Sequence, residues 1–169
     1  MKRVVVLVEG QTEEALVDEV LAPAALARGV HLAPVIVITS ATPAGARRGG
    51  GSWRHYDTRL HDEYPDSRFR PLVVLHEIEA LVLAAIDAGR GEGLIPARGL
   101  TRLRREIARA GGPERIDHGP STAPSKRLLR ADPGYLKTVT GPLLVAEAGL
   151  SAVLARCPTF AAWWEDLLS

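Results

Sequence analysis

Two glutamates, Glu9 and Glu13, stand where a short apolar run gives way to a helical pattern. The β-branched run of residues 4–8 is typical of a strand buried on both faces of a largely parallel sheet. Gly10 ends that run, and Thr12 is a plausible N-cap for the helix that follows. Open α/β sheets bind ligands at such strand ends, so the two carboxylates can face one point. Two carboxylates with few basic neighbours suit Mg²⁺ or Mn²⁺, although first-turn acids can also simply complement the helix dipole.

A third carboxylate, Glu77, follows another buried-strand pattern at residues 71–75. Because parallel strands end at the same edge of a sheet, we expect Glu77 to lie near Glu9. The neighbouring His76 has no second His at the spacing of the zinc-protease helix, so it is interpreted as a hydrogen-bonded structural residue. The predicted metal ligands are therefore Glu9, Glu13 and Glu77.

Candidate phosphate-binding residues lie in two further segments. The first is a glycine-rich loop at residues 42–52, whose two arginines could neutralise phosphates without reading bases, or which could be only a connector. The second is a helix start with Pro124 in its first turn, which could offer backbone N–H groups and cations to a phosphate. An ordinary helix start with solvated cations is the alternative. The candidates are Arg47, Arg48, Thr122, Ser125, Lys126 and Arg127.

The composition is that of a globular protein, with 46% hydrophobic and 24% charged residues in a chain of 169. The net charge of +1 gives no whole-molecule attraction to nucleic acid, so any basic site must be local. Cys157 is the only cysteine, which excludes an intrachain disulfide and is compatible with a reducing compartment. The apolar run near the amino terminus is too short for a signal peptide or a membrane span. We expect one cytoplasmic domain over residues 1–169, without membrane contact.

Hydrophobic periodicity predicts an α/β fold with a small, mostly parallel sheet, flanking helices and a helical C-terminal third that starts near residue 100. Strands are predicted at residues 4–8, 30–38 and 71–75. Helices are predicted from residue 12 to about 28, at 53–64, 79–86 and 100–110, from 125, and as short pieces after 132. The last group ends in aromatic and aliphatic residues at helical spacing, which indicates core packing: Phe160, Trp163, Trp164 and Leu167.

Several motifs occur in one order along the chain. They are V-E-G-Q-T-E at 8–13, L-H-E-I-E-A-L at 75–81, G-P-S-T-A-P-S-K-R-L at 119–128, P-G-Y-L-K-T at 133–138, G-P at 141–142 and C-P-T-F-A-A-W at 157–163. Together these motifs resemble the bacterial family catalogued as domain of unknown function 4276. The resemblance covers both ends of the chain.

That family looks similar to Toprim domains, the topoisomerase–primase sheet found in nucleases of the overcoming-lysogenization-defect type. In those proteins an E-G-x-x-E segment binds Mg²⁺ through both glutamates, and the matching positions here are Glu9 and Glu13. The resemblance also implies that Glu9 is catalytic and that Lys126 neutralises charge on a phosphoryl transition state.

The middle of the chain departs from the Toprim pattern. Toprim domains add a strand that ends in an Asp-x-Asp pair, and no β-rich run of that kind lies between Trp53 and Pro71. The acidic residues in this stretch are Asp57, Asp62, Glu63 and Asp66. The chain is therefore predicted to be shortened where further metal ligands would lie.

Three functions remain open. One is Mg²⁺-dependent cleavage of nucleic-acid phosphodiesters, within a defence or mobile-element system. Another is a degenerate Toprim-like subunit that binds or supports a larger assembly. The third is a phosphate or nucleotide binder, which needs only the helix-start geometry. Relatives resemble components found beside ATPases, so the resemblance implies an ATPase partner.

Overall fold

The structure is a computed structural model that describes residues 1–36, 66, 68–70, 78–116 and 119–169. The chain begins with a strand, a helical crossover and a second strand. The two strands are β1, Lys2–Val8, and β2, Val30–Ile36, and they pair in parallel with Lys2 beside Val30 and Val8 beside Ile36. Parallel strands cannot be joined by a tight turn. The crossover consists of α1 (Gln11–Leu16), a π-helical turn (Val17–Leu21) and α2 (Ala22–Leu26).

One face of β1 is exposed, so the prediction that this strand is buried on both faces is wrong. Val8 and Leu32 join the hydrophobic cluster that also contains Leu16 of α1. On the opposite face, Val5 and Leu7 are each 62% exposed. The β-branched run predicts a strand, but it cannot show how many faces the helices cover. The predicted strand at 71–75, the helix at 53–64 and the loop at 42–52 lie outside the described residues.

The second half of the chain is helical, as predicted. Its helices are α3 (Glu79–Asp87), α4 (Ala97–Ala110), α5 (Pro124–Ala131), α6 (Thr140–Ala148), α7 (Leu150–Leu154) and α8 (Pro158–Leu168), with a 3₁₀ turn at Pro113–Arg115. α4 begins three residues earlier than predicted because Pro96 supplies its N-cap, and it ends at Gly111, whose φ of 79° is left-handed. No helix within these described parts is long and apolar enough to cross a membrane.

The core is centred on α3. Leu83, Ala84 and Ile86 have no exposed surface, and α4, α6, α7 and the 3₁₀ turn pack around this helix. A helix that is apolar on every side belongs inside a protein. The prediction for the C-terminal aromatic residues is confirmed, because Phe160 and Trp164 of α8 are buried in the same hydrophobic cluster.

Candidate functional site

Glu9 and Glu13 lie on either side of the turn that joins β1 to α1. Gly10 is the N-cap, with extended backbone angles of φ −168° and ψ −175°, and its carbonyl accepts the N–H of Glu14 at 3.1 Å. Thr12, the predicted N-cap, instead lies inside the first turn and is buried. The helix starts earlier than predicted because the extended Gly10 already places its carbonyl to accept the first helical hydrogen bond.

The Glu13 carboxylate folds back over this turn. Its Oε2 lies 3.5 Å from the position that a Cβ on Gly10 would occupy. Gly10 directly follows Glu9 in the chain. Glu9 is exposed and Glu13 is half-buried, and neither forms an ion pair or hydrogen bond with a described residue. Within the described part of the chain, the turn therefore presents two carboxylates without a counter-ion.

The two carboxylates fit a hard divalent cation, since Mg²⁺ is commonly held by one or two carboxylates, with water and phosphate completing its shell. The third predicted ligand, Glu77, lies outside the described residues. Within the described ranges, no three His, Cys, Asp or Glu side chains cluster as a metal site. The structure thus places two of the three predicted ligands, Glu9 and Glu13, on either side of one turn.

The predicted phosphate-binding corner lies at the start of α5. Its N-cap is Ala123, and Thr122, the predicted cap residue, instead offers its carbonyl to the Arg127 side chain at 2.6 Å. Ser125 is half-buried in the first turn, and Lys126 is exposed and forms no ion pair with the described part of the chain. Arg47 and Arg48, in the glycine-rich loop, are not among the described residues. Among the described residues of this corner, Lys126 is therefore a cation that could contact a phosphate.

Arg127 has a structural partner. Its Nη1 lies 2.6 Å from Oε2 of Glu106 on α4, and the Arg127 side chain is only 15% exposed. Arg102 donates to the other oxygen of Glu106 at 2.9 Å. Burial alone would raise the pKa of Glu106, but the hydrogen bonds from Arg102 and Arg127 outweigh it and hold that pKa below its ordinary value. Arg127 therefore has a structural role, in which its ion pair with Glu106 joins α5 to α4.

An ion pair with one buried partner, which the sequence did not predict, joins two of the motifs. Glu79, at the start of α3, has no exposed surface, and Lys137 Nζ lies 3.0 Å from its Oε1. The distance is that of an ion pair, but the angles are not those of a hydrogen bond. The H-E-I-E motif contains two glutamates, and the sequence analysis selected Glu77 as a functional residue but not Glu79. Glu79 holds the P-G-Y-L-K-T segment against the core.

The start of α8 is capped by Glu114 of the 3₁₀ turn. Its two carboxylate oxygens accept the backbone N–H groups of Thr159 and Phe160, each at 3.0 Å. A carboxylate here also complements the positive end of the helix dipole. Cys157, the N-cap residue, has no exposed surface, and burial, with a smaller effect of the Glu114 charge, raises the pKa of its thiol to about 12. The thiol is therefore not a candidate nucleophile.

We expect Cys157 to resist thiol reagents in the folded protein at neutral pH and to react with one equivalent in concentrated guanidinium chloride. The unfolded thiol ionises near 9.0, whereas the folded thiol keeps its proton up to about 12. The unfolded state therefore loses its proton first, and the free energy of unfolding falls as pH rises through that window. Cys157→Ala should show a shallower decline. Rapid labelling of the native protein would contradict the buried position.

The comparisons with known proteins identify a family. No curated protein and no solved structure gives a significant match. The model of the family described as "Domain of unknown function (DUF4276)" matches residues 47–168, which is more than half of the chain. The matched stretch contains Glu79, Glu114 and Lys137, and it begins after Glu9 and Glu13. The chain belongs to this family of domains of unknown function, DUF4276.

Proposed function

We propose that the chain is a Toprim-like, metal-dependent component of a nucleic-acid phosphodiester hydrolase that works in the cytoplasm. The observation that carries the proposal is the turn after β1. There Glu9 and Glu13 flank Gly10 and have no cationic partner within the described ranges. A carboxylate pair that no Lys or Arg neutralises is suited to a hard cation.

In this proposal Glu9, Glu13 and Glu77 hold Mg²⁺ or Mn²⁺. When bound, the metal supplies an activated water and stabilises negative charge on phosphate oxygens. Lys126 neutralises charge on the phosphoryl group, for which its exposed ammonium is suited. The resemblance to Toprim-like components found beside ATPases supports a further proposal, that an ATPase subunit is the partner.

The metal site is tested by calorimetric titration with Mn²⁺. We expect the wild type to bind Mn²⁺, and Glu9→Gln and Glu13→Gln each to weaken binding at least about tenfold, which is roughly 1.4 kcal/mol. The matched control is Glu14→Gln, which removes a half-buried carboxylate from the same helical turn. The proposal fails if the folded wild type binds no Mn²⁺, or if Glu14→Gln weakens binding as much as Glu9→Gln does.

Nuclease activity of the isolated chain should be weak or absent, because two-metal catalysis needs further ligands and the sequence predicts no Asp-bearing strand to supply them. The measurement is incubation with plasmid and single-stranded DNA in Mg²⁺ or Mn²⁺, beside Glu9→Ala. Fast cleavage by the wild type alone, abolished in Glu9→Ala, would show that the chain does not need an Asp-bearing strand of the Toprim type.

A second candidate is a degenerate Toprim-like subunit that keeps the fold and binds within a larger assembly. Asp66 favours it. It is one of four acids between Trp53 and Pro71. The side chain and the backbone N–H of Arg68 donate hydrogen bonds to the Asp66 carboxylate. These bonds hold the pKa of that carboxyl well below its usual range. An acid paired in this way is a poor substitute for a Toprim metal ligand. If the chain is such a degenerate subunit, the calorimetric titration should show no Mn²⁺ binding.

A further inference from the structure

Four arginines form a stripe along one face of α4. Arg98, Arg102, Arg105 and Arg109 are separated by four, three and four residues, which is the spacing of one helical face, and all four are exposed. With Ala97, Thr101 and Glu106 of the same helix they border an open surface region of about 600 Å³. Small-molecule pockets are lined mostly by apolar and aromatic side chains. A helix surface that carries four guanidinium groups fits an extended polyanion instead. We call these four residues the arginine stripe.

Three of the four arginines in the stripe have no counter-charge among the residues that the structure describes. Arg102 pairs with Glu106, but Arg98, Arg105 and Arg109 form no ion pair with any residue that the structure describes. Some arginines elsewhere on the described surface are matched with carboxylates, as in the pairs Arg28–Glu165, Arg70–Asp166 and Arg156–Asp87. The stripe is distinguished by its spacing, which places three arginines without a described ion-pair partner on one helical face.

α5 extends this positive region. Gly99 of α4 lies against the Ala131 carbonyl, and Glu106 of α4 pairs with Arg127, so the two helices run antiparallel. Together α4 and α5 carry eight cationic side chains and one carboxylate, a net formal charge of +7. Because the formal net charge of the whole chain is +1, the residues outside these two helices carry a formal net charge of −6. The near-neutral total conceals a strongly basic pair of helices.

We propose that the arginine stripe binds the phosphate backbone of duplex nucleic acid. From Arg98 to Arg109 the stripe is roughly 16 Å long. That length equals the axial rise of about five phosphates on one strand of a duplex. Guanidinium groups match phosphate oxygens in two-point hydrogen bonding.

The composition of the two helices selects a duplex over a single strand. Neither α4 nor α5 contains an aromatic residue on which an unpaired base could stack. This inference rests on the proposed function for its choice of nucleic acid, but it does not use the metal site.

The test measures binding of a fluorescent duplex by anisotropy, in EDTA and over a range of salt concentrations. The variant is Arg98→Ala/Arg105→Ala/Arg109→Ala. The matched control, Arg3→Ala/Arg90→Ala/Arg115→Ala, removes the same charge from exposed positions outside the stripe. We expect the stripe variant to bind at least about tenfold more weakly and its salt slope to fall by roughly three. The control variant should keep a salt slope close to that of the wild type.

Because EDTA removes divalent metal, this experiment can succeed even if the carboxylate site fails. Circular dichroism checks the fold, and Arg105→Glu alone serves as a second variant that should also weaken binding. Equal losses in the stripe variant and the control would overturn the proposal, since net charge alone would then explain binding. Tighter binding of single-stranded DNA, or binding only to polyglutamate or to anionic lipid vesicles, would also overturn it.

Discussion

Lys137→Met is expected to lower the free energy of unfolding by about 3 kcal/mol, because it leaves the Glu79 carboxylate buried without its cation. Glu79 has no exposed surface, so its carboxylate depends on Lys137 and not on bulk water for a counter-charge. The Lys137 side chain is 49% exposed, and its ammonium can return to water when Glu79 is removed instead. Glu79→Gln should therefore cost less than Lys137→Met.

Urea denaturation followed by circular dichroism measures these changes. The control is Lys126→Met, which removes an exposed lysine and should change stability by no more than about 0.5 kcal/mol. In the double variant Glu79→Gln/Lys137→Met, the loss should be smaller than the sum of the single losses, because the carboxylate no longer needs its cation. If the two lysine variants are equally stable, Lys137 does not compensate a buried charge.

Gly99→Ala is expected to lower the free energy of unfolding by about 2 kcal/mol. A Cβ on Gly99 would lie 2.4 Å from the Ala131 carbonyl oxygen and 3.0 Å from its carbon. These are backbone atoms, so no side-chain rotation relieves the clash, and α4 and α5 must move apart. The higher helix propensity of alanine, worth about 1 kcal/mol, offsets only part of the strain.

The control for Gly99→Ala is Gly134→Ala. A Cβ there would meet only the Asp132 side chain at 3.3 Å, so stability should stay within about 0.5 kcal/mol of wild type. Because Gly99 sets the spacing of the two basic helices, Gly99→Ala should also weaken duplex binding if α5 contributes to it. A Gly99→Ala protein as stable as the wild type would show that α5 does not pack closely on α4.

Strands and helices that depend on neighbouring residues in the sequence were predicted well. The β-branched run before Glu9 predicts β1, and the periodicity of residues 100–110 predicts most of α4. The two glutamates at the first turn were found because a strand end and a helix start lie next to each other in the chain. Their proximity needs no tertiary information.

Features made by distant residues could not be predicted. Glu79 and Lys137 are far apart in sequence, and nothing in either motif indicates that one carboxylate is buried beside the other motif's lysine. The cap that Glu114 provides to Thr159 likewise depends on packing between separate segments. Arg127 was predicted to bind phosphate, but its pairing with Glu106 follows from the antiparallel arrangement of α4 and α5. Side-chain roles set by tertiary contact require the structure.

The most direct test of the proposed function is the anomalous difference map of a crystal soaked in Mn²⁺. We predict a peak at about 2.1–2.2 Å from carboxylate oxygens of both Glu9 and Glu13, with Glu77 close enough to join the shell directly or through water. A map with no peak between ordered Glu9 and Glu13 side chains, or with Glu77 on the far side of the sheet from Glu9, would contradict the proposal.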